Sequence, residues 1–311
     1  MKNNKITLSQ FWFSMLLSCL SAILFIDNKS SIFLLAETAA ALGINIAVVS
    51  LYKGKTNIIL RSVVSVYFTV FAVSASHKFI DYMHTVLDFK PLWLTALLLF
   101  GFAYFCTVKG IEAVSRAATI IGFFTIVSVI YILICAFGDM SFNITFDFDS
   151  NVLPPLVLLF PSAAYVLVYD NITENKPYVS LIYSAIIFGV IFLFSLLAYG
   201  VNGAYPIQEI PENSHVGVFR AADFLLLGFL SVSALYITSL GTISLFEKFK
   251  HKYLAHGIYI VVCMGITITA SYAKVVGDFL LWQPFALILT AVTVLTILVY
   301  AIFGRNIKSK L

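Results

Sequence analysis

The sequence predicts an all-α integral membrane protein of ten transmembrane helices, with the N- and C-termini both in the cytoplasm. Of the 311 residues, 61% are hydrophobic and only 11% are charged, whereas a soluble domain carries roughly 25% charged residues. Apolar segments about 20 residues long, the length that crosses the hydrocarbon core of a bilayer, recur along the whole chain. The net charge of +4 is spread over short basic clusters between these segments and does not indicate a nucleic-acid partner.

The apolar segments define ten predicted helices, numbered first to tenth in chain order. The sixth is short, and the eighth is long enough to tilt or to begin outside the hydrocarbon core. All ten belong to a single transmembrane domain, residues 1–311. The predicted helices span Thr7–Ile26, Ile32–Tyr52, Ile58–Phe79, Leu92–Val108, Ala117–Phe137, Leu153–Tyr169, Val179–Gly200, Val216–Phe246, Leu254–Tyr272 and Phe279–Phe303.

The distribution of Lys and Arg predicts the orientation of these helices. With the N-terminus inside, 14 of the 19 Lys and Arg residues fall on the cytoplasmic side. The five on the outer side are Lys29, Lys78, Lys90, Arg220 and Lys274. Cytoplasmic connections of membrane proteins carry such an excess, and a missed or an additional span would scramble the alternation.

Ten helices can be arranged as two inverted sets of five, here residues 1–137 and 152–303, in a LeuT-like fold. In transporters of that kind, interrupted helices at matching places in the two halves form a ligand site near the bilayer midplane. The first and sixth predicted helices match under this division. They are therefore the helices in which we look for a site.

The sixth predicted helix carries a proline in mid-span. Pro161 has no N–H, so the carbonyl group four residues earlier loses its helical partner. Small residues follow at Ser162 and Ala163, which would let a ligand approach the backbone. Two interpretations stay open: a kink that neighbouring groups satisfy, or an unwound segment whose backbone binds a polar ligand.

Residues on three other predicted helices complete the candidate site. The first helix has a patch of small residues near its middle, and the third and eighth place polar and aromatic residues at helical spacing. Serines in membrane helices also serve as packing residues or as partners of a neighbouring backbone. The candidate ligand-binding residues are Ser18, Ser21, Ala22, Tyr67, Phe71, Ser74, Phe160, Pro161, Ser162, Ala163, Tyr165, Ser233 and Tyr236.

Charged residues within or near the predicted spans form a second group of candidates, because such residues usually carry function. Glu37 in the second helix is a candidate proton or cation site, or else a carboxylate that reaches the interface or pairs with Lys78. Two further sets have the spacing of structural pairs on one helix face. They are Glu112 with Arg116 and Arg220 with Asp223.

The sequence indicates neither an enzyme nor a bound cofactor. The five histidines and four cysteines do not have the spacing of metal ligands. Nucleophile-elbow, phosphate-loop and acidic metal motifs are also missing from the sequence.

One segment resembles a known family. Pro91–Thr125 contains Lys109-Gly110-Ile111-Glu112-Ala113-Val114-Ser115-Arg116 between two apolar helices. It is similar to the Lys-Gly-Ile-Glu-x-x-x-Arg turn of the permease-like B subunits of spore germination receptors. Lys5–Phe11 resembles the start of that family, and Asp223 resembles an acidic residue found there. The family belongs to the amino acid–polyamine–organocation superfamily.

The resemblance implies a five-plus-five inverted-repeat fold with a nutrient pocket between the first, third, sixth and eighth helices. It also implies an A subunit and a C-type lipoprotein as partners, in the inner membrane of the spore of an endospore-forming bacterium. We therefore expect a germinant-sensing subunit that binds a small nutrient, such as an amino acid. The alternative is a proton- or sodium-coupled amino acid transporter, in which Glu37 would be the coupling residue.

Overall fold

The described part of the chain is helical. The computed structural model describes residues 6–20, 32–52, 58–85, 90–136, 159–169, 250–280 and 282–307, together with residues 156, 172, 179, 182–187, 189–190 and 246. The helices with defined bounds are α1 Leu8–Leu20, α2 Ile32–Leu51, α3 Ile58–Thr85, α4 Leu92–Lys109, α5 Ile111–Ala136, α6 Phe160–Val168, α7 Lys252–Tyr272, α8 Lys274–Leu280 and α9 Gln283–Ile307. The prediction of an all-α chain is confirmed for these residues.

Among the described residues, four helices are long and apolar enough to cross a membrane. These spans are Ile58–Asp81, Leu92–Lys109, Lys252–Tyr272 and Gln283–Phe303. Within α2, a shorter apolar helical stretch covers Ala36–Leu51. Residues 182–187 of the seventh predicted helix are also helical, whereas the eighth predicted helix lies outside the described residues except for Phe246.

Local sequence signals account for where several helices begin. The Thr7 amide donates to Gln10 Oε1 (3.1 Å), and the Gln10 amide lies 3.5 Å from Thr7 Oγ1, which is the reciprocal arrangement of a capping box at the start of α1. Pro91 occupies the position just before α4, and Pro284 occupies the first turn of α9. Proline fits a first turn because its missing N–H has no helical acceptor there.

The connection between α4 and α5 is the single residue Gly110, whose φ of 90° lies in the region that favours glycine. As a result, α5 begins at Ile111, whereas the sequence predicted a start at Ala117. The extra turn is amphipathic and contains an ion pair from Arg116 to Glu112. Glu112 in the first turn also interacts favourably with the positive end of the helix dipole.

Other boundaries also differ from those predicted. The third helix continues past Phe79 to Thr85, because its polar last turns extend it beyond the apolar span. The segment predicted as the start of the tenth helix is divided, so that α8 ends at Leu280 and α9 begins at Gln283. Pro284 explains the restart, since proline disfavours continuation of a helix from the preceding residues.

Helix α3 occupies the centre of the described structure. It packs against α4, α6, α7, α8 and α9. The buried share of its span is 56%, compared with 33%, 28% and 22% for the spans of α4, α7 and α9. Helix α6 packs against α1, α2, α3 and α9, so the proline-containing segment lies inside the bundle.

Candidate functional site

The candidate site is the start of α6, where Pro161 lies in the first turn. The described helix begins at Phe160, with Leu159 at the N-cap position. Before it, the Leu159 amide donates to the Leu156 carbonyl (3.2 Å) and closes a tight turn. Pro161 therefore stands at a helix start, where a missing N–H is tolerated, and the backbone on either side of it lacks the full set of helical partners.

A side chain from α2 satisfies a backbone donor at this start. The Ser162 amide donates to Asn45 Oδ1 at 3.0 Å, and Asn45 Nδ2 donates to the Ala41 carbonyl of its own helix at 3.1 Å. Asn45 is fully buried. The second bond fixes the orientation of the carboxamide, so that its oxygen faces α6 and supplies the cap that the α6 sequence lacks.

A side chain from α3 satisfies a backbone acceptor on the other side of Pro161. The Tyr67 hydroxyl donates to the Leu156 carbonyl at 2.7 Å, and Thr290 on α9 is a further hydrogen-bond partner of that hydroxyl. The Tyr67 ring is buried and lies 4.8 Å from the Phe71 ring between centroids. Tyr67 and Asn45 therefore hold two backbone groups of opposite polarity, one acceptor before Pro161 and one donor after it.

Two of the predicted site serines use their hydroxyl protons locally. Ser162 Oγ donates to the Leu159 carbonyl at 2.8 Å, and Ser74 Oγ donates to the Val70 carbonyl at 2.9 Å. Both side chains are buried, as is Ala163. A ligand would therefore meet these hydroxyl groups as acceptors, or would have to displace an internal bond.

Four aromatic rings pack together beside the start of α6. Phe11, Tyr52, Tyr165 and Tyr169, the aromatic cluster, come from α1, the residue after α2, and α6 with the residue that follows it. Their centroids lie 5.9 Å apart for Phe11–Tyr165, 6.2 Å for Tyr52–Tyr165, 5.4 Å for Tyr52–Tyr169 and 5.6 Å for Tyr165–Tyr169, all edge to face. Such pairs are favourable beyond the area they bury.

A backbone contact lies at the same end as the aromatic cluster. Ile6, before α1, and Ile172, after α6, form a parallel β-bridge. Ile6 is buried. The cluster and the bridge together join α1, α2 and α6 on the side of Pro161 where α1 begins and α2 ends.

The structure places the remaining predicted residues as follows. Ser18 lies in α1 and Phe160 is the first residue of α6. Ser21, Ala22, Ser233 and Tyr236 lie outside the described residues, as do Arg220 and Asp223. Glu37 lies in α2, and one of its carboxylate oxygens is buried. The described part of the site thus consists of α2, α3, α6 and the nearby α1.

Asn45 and Tyr52 are site residues that the sequence analysis missed. Asn45 is a single carboxamide within the apolar α2, and a carboxamide inside a membrane helix usually bonds to another helix. That signal could have identified Asn45, but not its partner. Tyr52 follows the last residue of α2, where a tyrosine also fits the membrane interface, so the sequence does not distinguish the two roles.

The described residues offer hydrogen-bonding groups rather than a metal centre. Within the ranges given above, there is no group of three or more His, Cys, Asp or Glu side chains that could hold a metal ion.

No protein-family model and no curated protein matches the chain.

Proposed function

We propose that the chain is an integral membrane protein of ten transmembrane helices, built as a LeuT-like five-plus-five inverted repeat. The helix contacts support this repeat. In a five-plus-five repeat, a contact between two helices should recur between the two helices that lie five places away in the first-to-tenth order. The contact between the first and fifth helices (α1 and α5) then corresponds to the contact between the sixth and tenth helices (α6 and α9), and both contacts occur. The contact between the second and sixth helices (α2 and α6) corresponds to a contact between the seventh and first predicted helices. At that place Ser184 Oγ donates to the Trp12 carbonyl at 3.2 Å.

The β-bridge supports the proposed orientation. Ile6 precedes the first helix and Ile172 follows the sixth, and the bridge holds them at one end of the bundle. An even number of spans separates them along the chain, which requires both to lie on one side of the membrane. The excess of basic residues assigns that side, with both termini, to the cytoplasm.

The helix break is the proposed site for a small nutrient such as an amino acid. The observation that carries this proposal is the pair of backbone groups around Pro161, the Ser162 amide and the Leu156 carbonyl, each held by a side chain from another helix. A carboxylate can accept from the amide, which is also favoured by the positive end of the α6 dipole. An ammonium group can donate to the carbonyl. An α-amino acid carries both groups.

The site also supplies a way to convert binding into a signal. A ligand that takes the Ser162 amide and the Leu156 carbonyl displaces Asn45 of α2 and Tyr67 of α3, which loosens two helices from α6. Binding then favours the conformation in which those contacts are broken. In a germination receptor, the A subunit and the C-type lipoprotein would read that shift in the cell membrane or the spore inner membrane. The Lys109–Arg116 turn is the feature that links the chain to such receptors.

A coupled amino acid transporter is the second candidate. Glu37 favours it, because a carboxylate with a buried oxygen inside an apolar helix is a candidate for binding a proton or a cation. The transporter carries the same nutrient site, so uptake into proteoliposomes separates the two functions. Uptake that depends on pH or sodium and is lost in Glu37→Gln indicates transport, whereas binding without uptake indicates a sensor.

The nutrient site is tested by a thermal-unfolding screen of the detergent-purified protein against L-amino acids, nucleosides and sugars. A ligand present at 100 times its Kd adds about 2.7 kcal/mol to the free energy of unfolding. We expect an amino acid to stabilise the wild-type protein and Pro284→Ala, a replacement in the first turn of α9, but not Pro161→Ala. A hit that stabilises Pro161→Ala equally would contradict the site.

A further inference from the structure

A histidine at the far end of α3 lies under the short helix α8. His77 is in the last turns of α3, and α8 packs against both α3 and α7. A Cβ atom added at Gly277 of α8 would stand 2.9 Å from His77 Nε2 and 3.1 Å from the Ala270 carbonyl oxygen. Only glycine allows this approach, so the α8 backbone lies directly over the imidazole edge.

The hydrogen bonds of Ser271 determine which imidazole nitrogen can take up a proton. Ser271 Oγ donates its single proton to the Thr267 carbonyl at 3.0 Å. The 3.2 Å contact between Ser271 Oγ and His77 Nδ1 must therefore have Nδ1–H as the donor. In the neutral ring, Nε2 then carries the lone pair, and it is the nitrogen that faces α8.

Among the described residues, the charged groups that act on the ring come from two helices. Asp81 and Lys78 of α3 and Asp278 of α8 all interact electrostatically with His77. Helix α8 also carries Lys274 at its first position. The charged residues of α7, Lys252 and His256, are at its opposite end. Asp81 and Lys78 lie on the same helix as His77, so their distance from the imidazole does not depend on the position of α8. The electrostatic attraction that depends on the docking of α8 is therefore that of Asp278.

We propose that His77 is a proton-binding site, and that proton uptake at Nε2 strengthens the docking of α8 on α3 and α7. The added positive charge is attracted to Asp278, which an undocked α8 would carry away. The ligand is a proton from the solvent on this side of the protein, which the predicted topology makes the outer side. A sensor or a transporter with this site responds to external pH without using Glu37.

A spin label on α8 tests the coupling. Val275 is 81% exposed, so a label at Val275→Cys, in a protein whose four native cysteines are replaced by serine, reports the mobility of α8 without entering the core. We expect the mobility to fall as the pH is lowered from about 8 and the imidazole gains its charge. His77→Gln should abolish this step.

A variant of the exposed Asp278 keeps the test independent of folding. Asp278→Asn should move the midpoint to lower pH, because a neighbouring carboxylate stabilises imidazolium. His84 is an exposed histidine in the last turn of α3, and His84→Gln should leave the step unchanged. A mobility that does not depend on pH, a step that persists in His77→Gln, or an unshifted midpoint in Asp278→Asn would overturn the proposal.

Discussion

The amide of Ser162 donates a hydrogen bond to Oδ1 of Asn45, a residue 117 positions earlier in the chain. The bond ties the start of α6 to the middle of α2 in a fully buried setting. It supplies the cap that Leu159 cannot supply, because leucine has no side-chain acceptor. The same amide is the donor that the proposed ligand would use, so Asn45 and the ligand compete for one group.

This competition predicts opposite effects of Asn45→Ala on stability and affinity. Loss of the carboxamide leaves a buried donor without its partner and should lower the free energy of unfolding by about 1–3 kcal/mol. Affinity for the amino acid identified in the screen should rise, because the ligand no longer displaces Asn45. Denaturant titration and equilibrium dialysis measure the two quantities. A variant that loses both stability and affinity would show that Asn45 has only a structural role.

Tyr67→Phe tests the second group at the break. The variant keeps the ring against Phe71 and removes the bond to the Leu156 carbonyl, so we expect a loss of about 0.5–1.5 kcal/mol of stability. Tyr259→Phe is the matched control, since it removes the 2.6 Å bond between Tyr259 and Thr69, also between α3 and a neighbouring helix. Both variants should lose stability, but only Tyr67→Phe should change ligand affinity. Equal affinities would place the ligand elsewhere.

The aromatic cluster predicts that one end of the site is closed to solvent. Cys19 in α1 is fully buried and provides a native thiol beyond the cluster. With the other three cysteines replaced by serine, a water-soluble thiol reagent should leave Cys19 unmodified. Tyr169→Ala should open the closed end and allow labelling in inside-out vesicles. Tyr272→Ala, which removes an exposed ring from the end of α7, should not. Labelling of Cys19 in the otherwise unchanged protein would show that the cluster does not exclude solvent.

The contact between α1 and α5 predicts a steric limit at Gly122. A Cβ atom there would lie 2.6 Å from Phe13 Cδ1. Gly122→Ala should therefore force the helices apart and reduce the free energy of unfolding by about 1–3 kcal/mol, as overpacked cores do. Gly101→Ala in α4 is the control, since an added Cβ has no neighbour within 4 Å. If the two variants unfold at the same denaturant concentration, the close approach of α1 to α5 is wrong.

The sequence predicted the starts of helices well where an apolar run begins sharply. Leu92 begins α4 after Pro91, and Ile32 begins α2, as expected. It placed the start of the fifth helix at Ala117 rather than Ile111, because the polar Glu112 and Arg116 lie outside the apolar span, although their spacing was recognised as that of a pair on one helix face. Hydropathy measures only the span of a helix within the bilayer, whereas the helix itself can extend beyond it, as α3 does to Thr85.

The site was predictable only in part. Pro161 identified the helix start, because the missing N–H of proline is a local property of the chain. The partners of the Ser162 amide and the Leu156 carbonyl were not predictable, because Asn45 and Tyr67 reach them through tertiary packing over 117 and 89 residues of sequence. A polar residue in an apolar helix indicates a partner without naming it. Periodicity placed Tyr67 and Phe71 on one face, which agrees with their ring contact.

The measurement that most directly tests the account is the affinity of an L-amino acid, chosen by the thermal screen, for the wild-type protein, Asn45→Ala and Pro284→Ala. Equilibrium dialysis with the radiolabelled ligand gives the three Kd values. The account predicts saturable binding, a lower Kd in Asn45→Ala, and an unchanged Kd in Pro284→Ala. Binding that is equal in all three proteins would place the ligand away from Ser162, and no binding of any amino acid would contradict the proposed nutrient site.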